Sequence, residues 1–188
     1  MKTSITSLKR TPIIEHAHQT ILDCLTEDSV AIDMTVGNGH DTVFLAKHAK
    51  TVYGFDIQEK ALKNTRDRLE LAACKNVKLF LLCHSRFEDV VKEPFTVMVF
   101  NLGYLPGEDQ SITTKTETTL LAVKKALNSI QRGGLISLTL YPGHAEGKRE
   151  SEELERYLTS INRQDFTVIK YQCLNRFAAP YNLYIIKH

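Results

Sequence analysis

The chain has 188 residues, 43% of them hydrophobic, and its 24 Lys and Arg against 22 Asp and Glu leave a formal net charge of +2. That is ordinary for a globular protein and predicts a single domain over 1–188 with a sizeable core. No apolar run is long enough to cross a bilayer, and MKTSITSLKRTPIIEHAH holds no apolar signal segment, so a cytoplasmic protein without a membrane partner is expected.

In chain order, residues 1–28 are expected as an N-terminal helical segment docking on the domain. Within Ile13–Leu25, the residues Ile14, Ala17, Ile21, Leu22 and Leu25 recur at helical spacing. His16 and His18 lie two apart and point to different helix faces, which predicts polar positions on a docking helix rather than a metal site. Strands are predicted at Val30–Thr35, Thr51–Asp56, Val77–Leu82, Thr96–Asn101, Leu135–Leu140, Thr167–Gln172 and Asn182–Lys187. Helices are predicted at His40–Lys47, Glu59–Ala72, Lys115–Ile130 and Glu146–Ser160. This alternation predicts an α/β fold, a mostly parallel seven-stranded sheet with helices on both faces. NRFAAPY leaves no room for a crossover helix between the last two strands, so they are expected to pair antiparallel, with the terminal strand reversed.

Cys24, Cys74, Cys83 and Cys173 form no C-x-x-C pair and predict free, buried thiols rather than a zinc site or a disulfide framework; no metal is expected. Lys9-Arg10, Lys47-His48-Ala49-Lys50 and Lys148-Arg149 are candidate parts of a nucleic-acid surface, against solvated helix ends and loops as the plain alternative.

The chemistry concentrates in AIDMTVGNGHDTVFLAK. An apolar strand ends near Asp33, Gly37 and Gly39 form a turn, and a helix follows. In open α/β sheets ligands bind at the carboxyl ends of strands, and glycines there let the backbone approach a ligand. Asp56 ends the second strand, where a carboxylate can accept both hydroxyl hydrogens of a ribose. The dinucleotide pattern wants a third glycine where Thr42 stands, and Asp41 is ill placed for a phosphate but well placed for a cation. These residues favour a nucleoside cofactor carrying positive charge.

DMTVGNGHDT, FDIQ and NLGYLPG resemble the class I S-adenosylmethionine-dependent methyltransferases, over nearly the whole chain after Val30. The resemblance implies a Rossmann-like fold and S-adenosyl-L-methionine as cofactor. It implies Asp33, Thr35, Gly37, Asn38, Gly39 and Asp41 around the methionine end, Asp56 and Gln58 at the ribose, His84 and Ser85 at the adenine, and Asn101 beside the cofactor. Many nitrogen-directed members carry Asn/Asp-Pro-Pro-Tyr/Phe after the fourth strand. Here Asn101-Leu102-Gly103-Tyr104 keeps the first and last residues and loses both prolines.

NLGYLPG together with YPGH is similar to a small family labelled as rRNA methylases, the YtqB or MnmM-type proteins. That resemblance implies methylation of the 5-aminomethyl group of wobble uridine 34 in the tRNA anticodon loop, giving 5-methylaminomethyl(-2-thio)uridine. Asn101, Tyr104 and His144 become the expected catalytic residues: Asn101 holds the amine through a carbonyl, Tyr104 or Tyr141 stacks on the uracil, and His144 is the local candidate for a proton acceptor. Gly103, Tyr104, Tyr141 and His144 are the expected substrate contacts. The strand-four and strand-five motifs contain no cysteine, which argues against covalent ring methylation. Methylation of rRNA or of a small amine, and a non-catalytic cofactor-binding subunit, are the alternatives; a homodimer is left open.

Overall fold

The computed structural model describes residues 12–176 and 178–188. They form α1 (Pro12–Leu22), β1 (Val30–Asp33), α2 (His40–Ala46), β2 (Thr51–Asp56), α3 (Glu59–Leu71), β3 (Val77–Leu81), a 3-10 helix (His84–Asp89), β4 (Phe95–Asn101), α4 (Thr116–Ser129), β5 (Ile130–Leu140), α5 (Ala145–Thr159), β6 (Phe166–Tyr171) and β7 (Tyr181–Lys187). Among them no helix is long and apolar enough to cross a membrane. Lys9-Arg10 and the start of the predicted N-terminal segment lie outside the described residues.

The seven strands form one sheet in the order β3-β2-β1-β4-β5-β7-β6. Strands β1 to β5 pair in parallel, and β7 runs antiparallel to both β5 and β6. The reversed strand is thus the last in the chain but sits one place inside the sheet edge, and β6 runs with the parallel set. Alternation along β4 divides the core. Met98 and Phe100 pack with α4 and α5 on one face, while Val97 and Val99 pack with α1, α2 and α3 on the other. Each fully buried side chain of this size contributes about 1.5–3 kcal/mol.

Helix α1 buries Ile13, Ala17 and Ile21, and Asn182 Nδ2 donates to the Ile13 carbonyl at 2.7 Å. The two histidines diverge as their spacing predicts: His16 stacks on Tyr171, His18 on Phe44. Most element ends fall close to expectation, and the start of β5 departs furthest from it. Strand β5 begins at Ile130, because QRGG, which reads as a turn, is absorbed by a register shift between the Phe95–Ile130 and Val97–Leu135 pairs. Helix α4 therefore ends at Ser129. All four cysteines are free, but each is partly exposed rather than buried.

Candidate active site at the carboxyl ends of the strands

The strand order reverses between β1 and β4, so the loops that follow these strands diverge and leave a crevice at the carboxyl rim. A cavity of about 700 Å³ fills it. Residues 34–38, His40, Asp41 and 56–58 line it together with residues 101–106, Gln110 and 112–115, and Tyr141, Gly143 and His144 belong to the lining too. Lys47 to Lys50 precede β2 and so stand at the opposite rim, away from this opening. Arg149 is held by Glu117 and Glu146.

Asp33 does not reach the cavity wall. It is 1% exposed, and its two oxygens accept from the Thr35 amide at 3.1 Å and the Thr42 hydroxyl at 2.6 Å. Burial, then the nearby Asp41 charge, push its carboxyl up to about 7. Its effect on the site passes through Thr35, whose hydroxyl accepts from the Asn101 amide at 2.8 Å. Gly39 is also off the wall. It sits at φ +80, and a Cβ there would lie 2.9 Å from Thr65 Cα, so this glycine serves the close approach of α3.

Gly37, Asn38 and Asp41 do line the cavity. Asp56 ends β2 with Oδ2 accepting from the Gly37 amide at 3.1 Å and Oδ1 from the Gln58 amide at 3.0 Å. Each oxygen keeps a second lone pair, enough for two ribose hydroxyls. Burial raises the Asp56 pKa despite these donors. At the far end His84 lines the cavity, and burial lowers its pKa to about 4, so the ring is neutral. Ser85 is buried off the wall: its hydroxyl meets Cys83 Sγ at 3.2 Å and its carbonyl accepts from Lys125 Nζ at 2.8 Å, and Cys83 stands in the lining instead. Two carboxylates on the β1–β2 side suit a cationic nucleoside such as S-adenosylmethionine and repel a pyrophosphate.

Asn101 closes β4 and lines the cavity, its Nδ2 donating to Asp41 Oδ2 at 3.1 Å. Tyr104 is 39% exposed at the rim, not a core aromatic, and its backbone bridges to Thr113. The Gly103 amide donates to Thr114 Oγ1 at 2.9 Å. Thr114 in turn donates to Glu150, a carboxylate only 2% exposed that also accepts from Thr119. Sequence reasoning missed Glu150. Its signal is the helical register with Leu154 and Leu158, which puts it on the buried face of α5. Tyr141 lines the cavity and its hydroxyl is pushed up to about 12, by burial first and by the Asp41 charge second, so it stays a donor.

His144 does not stand as a free proton acceptor. It is the N-cap of α5, and its Nδ1 accepts from the Gly147 amide at 3.1 Å. In the neutral ring that lone pair is the basic one, so capping occupies it. The ring centroid lies 5.9 Å from that of Tyr104, and His144 lines the cavity beside it.

Comparison with known proteins follows the same lines. The family described as "Putative rRNA methylase" matches residues 52–187. A curated relative from Arabidopsis thaliana, tRNA (mnm(5)s(2)U34)-methyltransferase, chloroplastic, is 38% identical over 187 residues, covering 92% of this chain and 68% of its own. SMU.1697c of Streptococcus mutans, solved in complex with SAH, superposes with a TM-score of 0.88 at 40% identity, over 93% of this chain and 97% of that one. An rRNA methylase from Streptococcus thermophilus gives a TM-score of 0.82 at 32% identity, over 96% and 98%. The fold is therefore the Rossmann-like methyltransferase fold. With the profile spanning most of its length and these relatives covering nearly all of it, the chain belongs to the family described as "Putative rRNA methylase".

Proposed function

We propose that this protein transfers a methyl group from S-adenosylmethionine to the 5-aminomethyl nitrogen of wobble uridine 34 in the tRNA anticodon loop, in the cytoplasm. The observation that carries this reading is the pairing of Asn101, fixed at the inner wall, with Tyr104, an exposed aromatic at the cavity rim. A partly buried amide and an accessible ring on one cavity suit a flipped-out base with an amine arm. The name and the coverage of the Arabidopsis relative support the same substrate.

S-adenosylmethionine, when bound, supplies an electrophilic methyl on a sulfonium. Asp56 and Gln58 would hold its ribose, Gly37 and Asn38 would lie along it, and His84 would border its adenine. Tyr104 stacks on the uracil, as single-stranded bases are commonly read. The Asn101 amide oxygen accepts an amine N–H and so turns the nitrogen lone pair toward the methyl. Only the neutral amine attacks, and a sulfonium charge beside it would favour that form. The nitrogen–carbon bond forms as the sulfur–carbon bond breaks, and the secondary ammonium releases its proton to solvent. No base on His144 is required.

Nucleoside mass spectrometry of tRNA from a deletion strain tests the proposal. Accumulation of 5-aminomethyluridine, reversed by the purified protein with S-adenosylmethionine, is expected. An unchanged tRNA profile would overturn it and direct attention to rRNA.

A further inference from the structure

Asp41 stands between two side chains from distant parts of the chain. Its Oδ1 meets His18 Nε2 at 2.7 Å, and its Oδ2 accepts from Asn101 Nδ2 at 3.1 Å. An ionised carboxylate has no donor, so only the amino end of the Asn101 amide can face it. That fixes the amide rotation and leaves the carbonyl oxygen as the free acceptor. The Asn101 backbone is fixed separately, through Thr35 Oγ1. Asp41 and Asn101 border the cavity; His18 does not.

His18 is itself well held. Its ring stacks on Phe44 at 3.9 Å between centroids and 6° between planes. Its helix is anchored by Ile13, Ala17 and Ile21 in the core and by the Asn182 bond to the Ile13 carbonyl. A donor on a rigid helix thus restrains a carboxylate, and the carboxylate orients an amide.

We infer that His18 and Asp41 are positioning residues for methyl transfer, locking the Asn101 amide with its oxygen toward the acceptor amine. The inference deepens the proposed function and rests on Asn101 holding that amine. It gives the α1 segment a part in turnover, although α1 contributes nothing to the cavity wall.

Four variants of the full chain test it: His18→Leu, His18→Gln, Asn101→Ala and the His18→Leu/Asn101→Ala double variant. The substrate is an anticodon stem-loop carrying 5-aminomethyluridine. His18→Leu should lower kcat on the order of tenfold through the misplaced amide. KM for the RNA and the SAH affinity measured by calorimetry should move by no more than about twofold, because the loss falls on the transition state. His18→Gln keeps an N–H for Asp41 and should recover most of kcat. In the Asn101→Ala background, His18→Leu should cost nothing further, since the two act as one unit. Additive losses, equal damage from Leu and Gln at position 18, an unchanged kcat in His18→Leu, or a parallel fall in SAH affinity would each overturn the inference. Wild-type turnover by Asn101→Ala would instead remove the amine-holding reading itself, whatever the His18 variants show.

Discussion

Asp56 offers the sharpest separation of binding from folding. Its carboxylate holds the Gly37 and Gln58 amides and faces the cavity, yet burial raises its pKa, so the fold disfavours its charge. Asp56→Asn removes that charge and keeps one acceptor oxygen for a loop amide. Asp56→Ala removes both oxygens. Losing a charged partner to the ribose hydroxyls costs roughly 1.5–3 kcal/mol, which weakens binding by about tenfold to a little over a hundredfold. The Asn variant should show a smaller loss than Ala, because one oxygen remains. Its melting temperature should stay close to that of the wild type, because loss of a desolvated charge offsets the loop amide left facing the new amino group. Calorimetric titration with SAH, with circular dichroism melts of the same samples, measures both quantities. Unchanged SAH affinity in folded Asp56→Ala would take Asp56 out of the cofactor site. A fall in affinity matched by a fall in melting temperature in both variants would make Asp56 a structural residue of the loop.

Tyr104→Ala removes an exposed ring and should leave SAH affinity intact while weakening stem-loop binding by about 1–3 kcal/mol; fluorescence anisotropy reads the change, and equal RNA affinity would place the base elsewhere. Stability should depend on pH through two buried groups of opposite sign. Asp33, pushed up to about 7, keeps a proton in the native state that the unfolded chain loses near the ordinary carboxylate value, so its contribution falls as pH rises from about 4 to 7. His84, lowered to about 4, lacks a proton that the unfolded chain holds up to about 6.5, so its contribution rises over almost the same window. Relative to wild type, urea melts between those pH values should tilt upward for Asp33→Asn and downward for His84→Gln, each by up to about 1.4 kcal/mol per pH unit. Curves parallel to wild type would contradict both assignments.

The sequence by itself determined the alternation of strands and helices, the antiparallel β6–β7 pair, and the rim on which the glycine turn, Asp56, Asn101 and Tyr104 meet. These follow from local rules. Apolar periodicity declares which face of each element is buried, and topology puts the ends of parallel strands together. It also placed His16 and His18 on different faces. What it could not assign were roles that depend on long-range neighbours. Asp33 looks like a ligand contact but turns inward to Thr35 and Thr42. His144 looks like a base but caps α5. Glu150 looks like one more surface acid on a charged helix, and is buried beneath the strand-four loop. The His18–Asp41–Asn101 array joins residues from α1, α2 and the end of β4, which no spacing in the chain relates. Hydrophobic burial acts on each element through its own pattern and is therefore written along the chain. A polar contact of this kind requires two atoms within about 3 Å of each other in a set geometry, and only the packing of α1 and the order of strands in the sheet brings those atoms together.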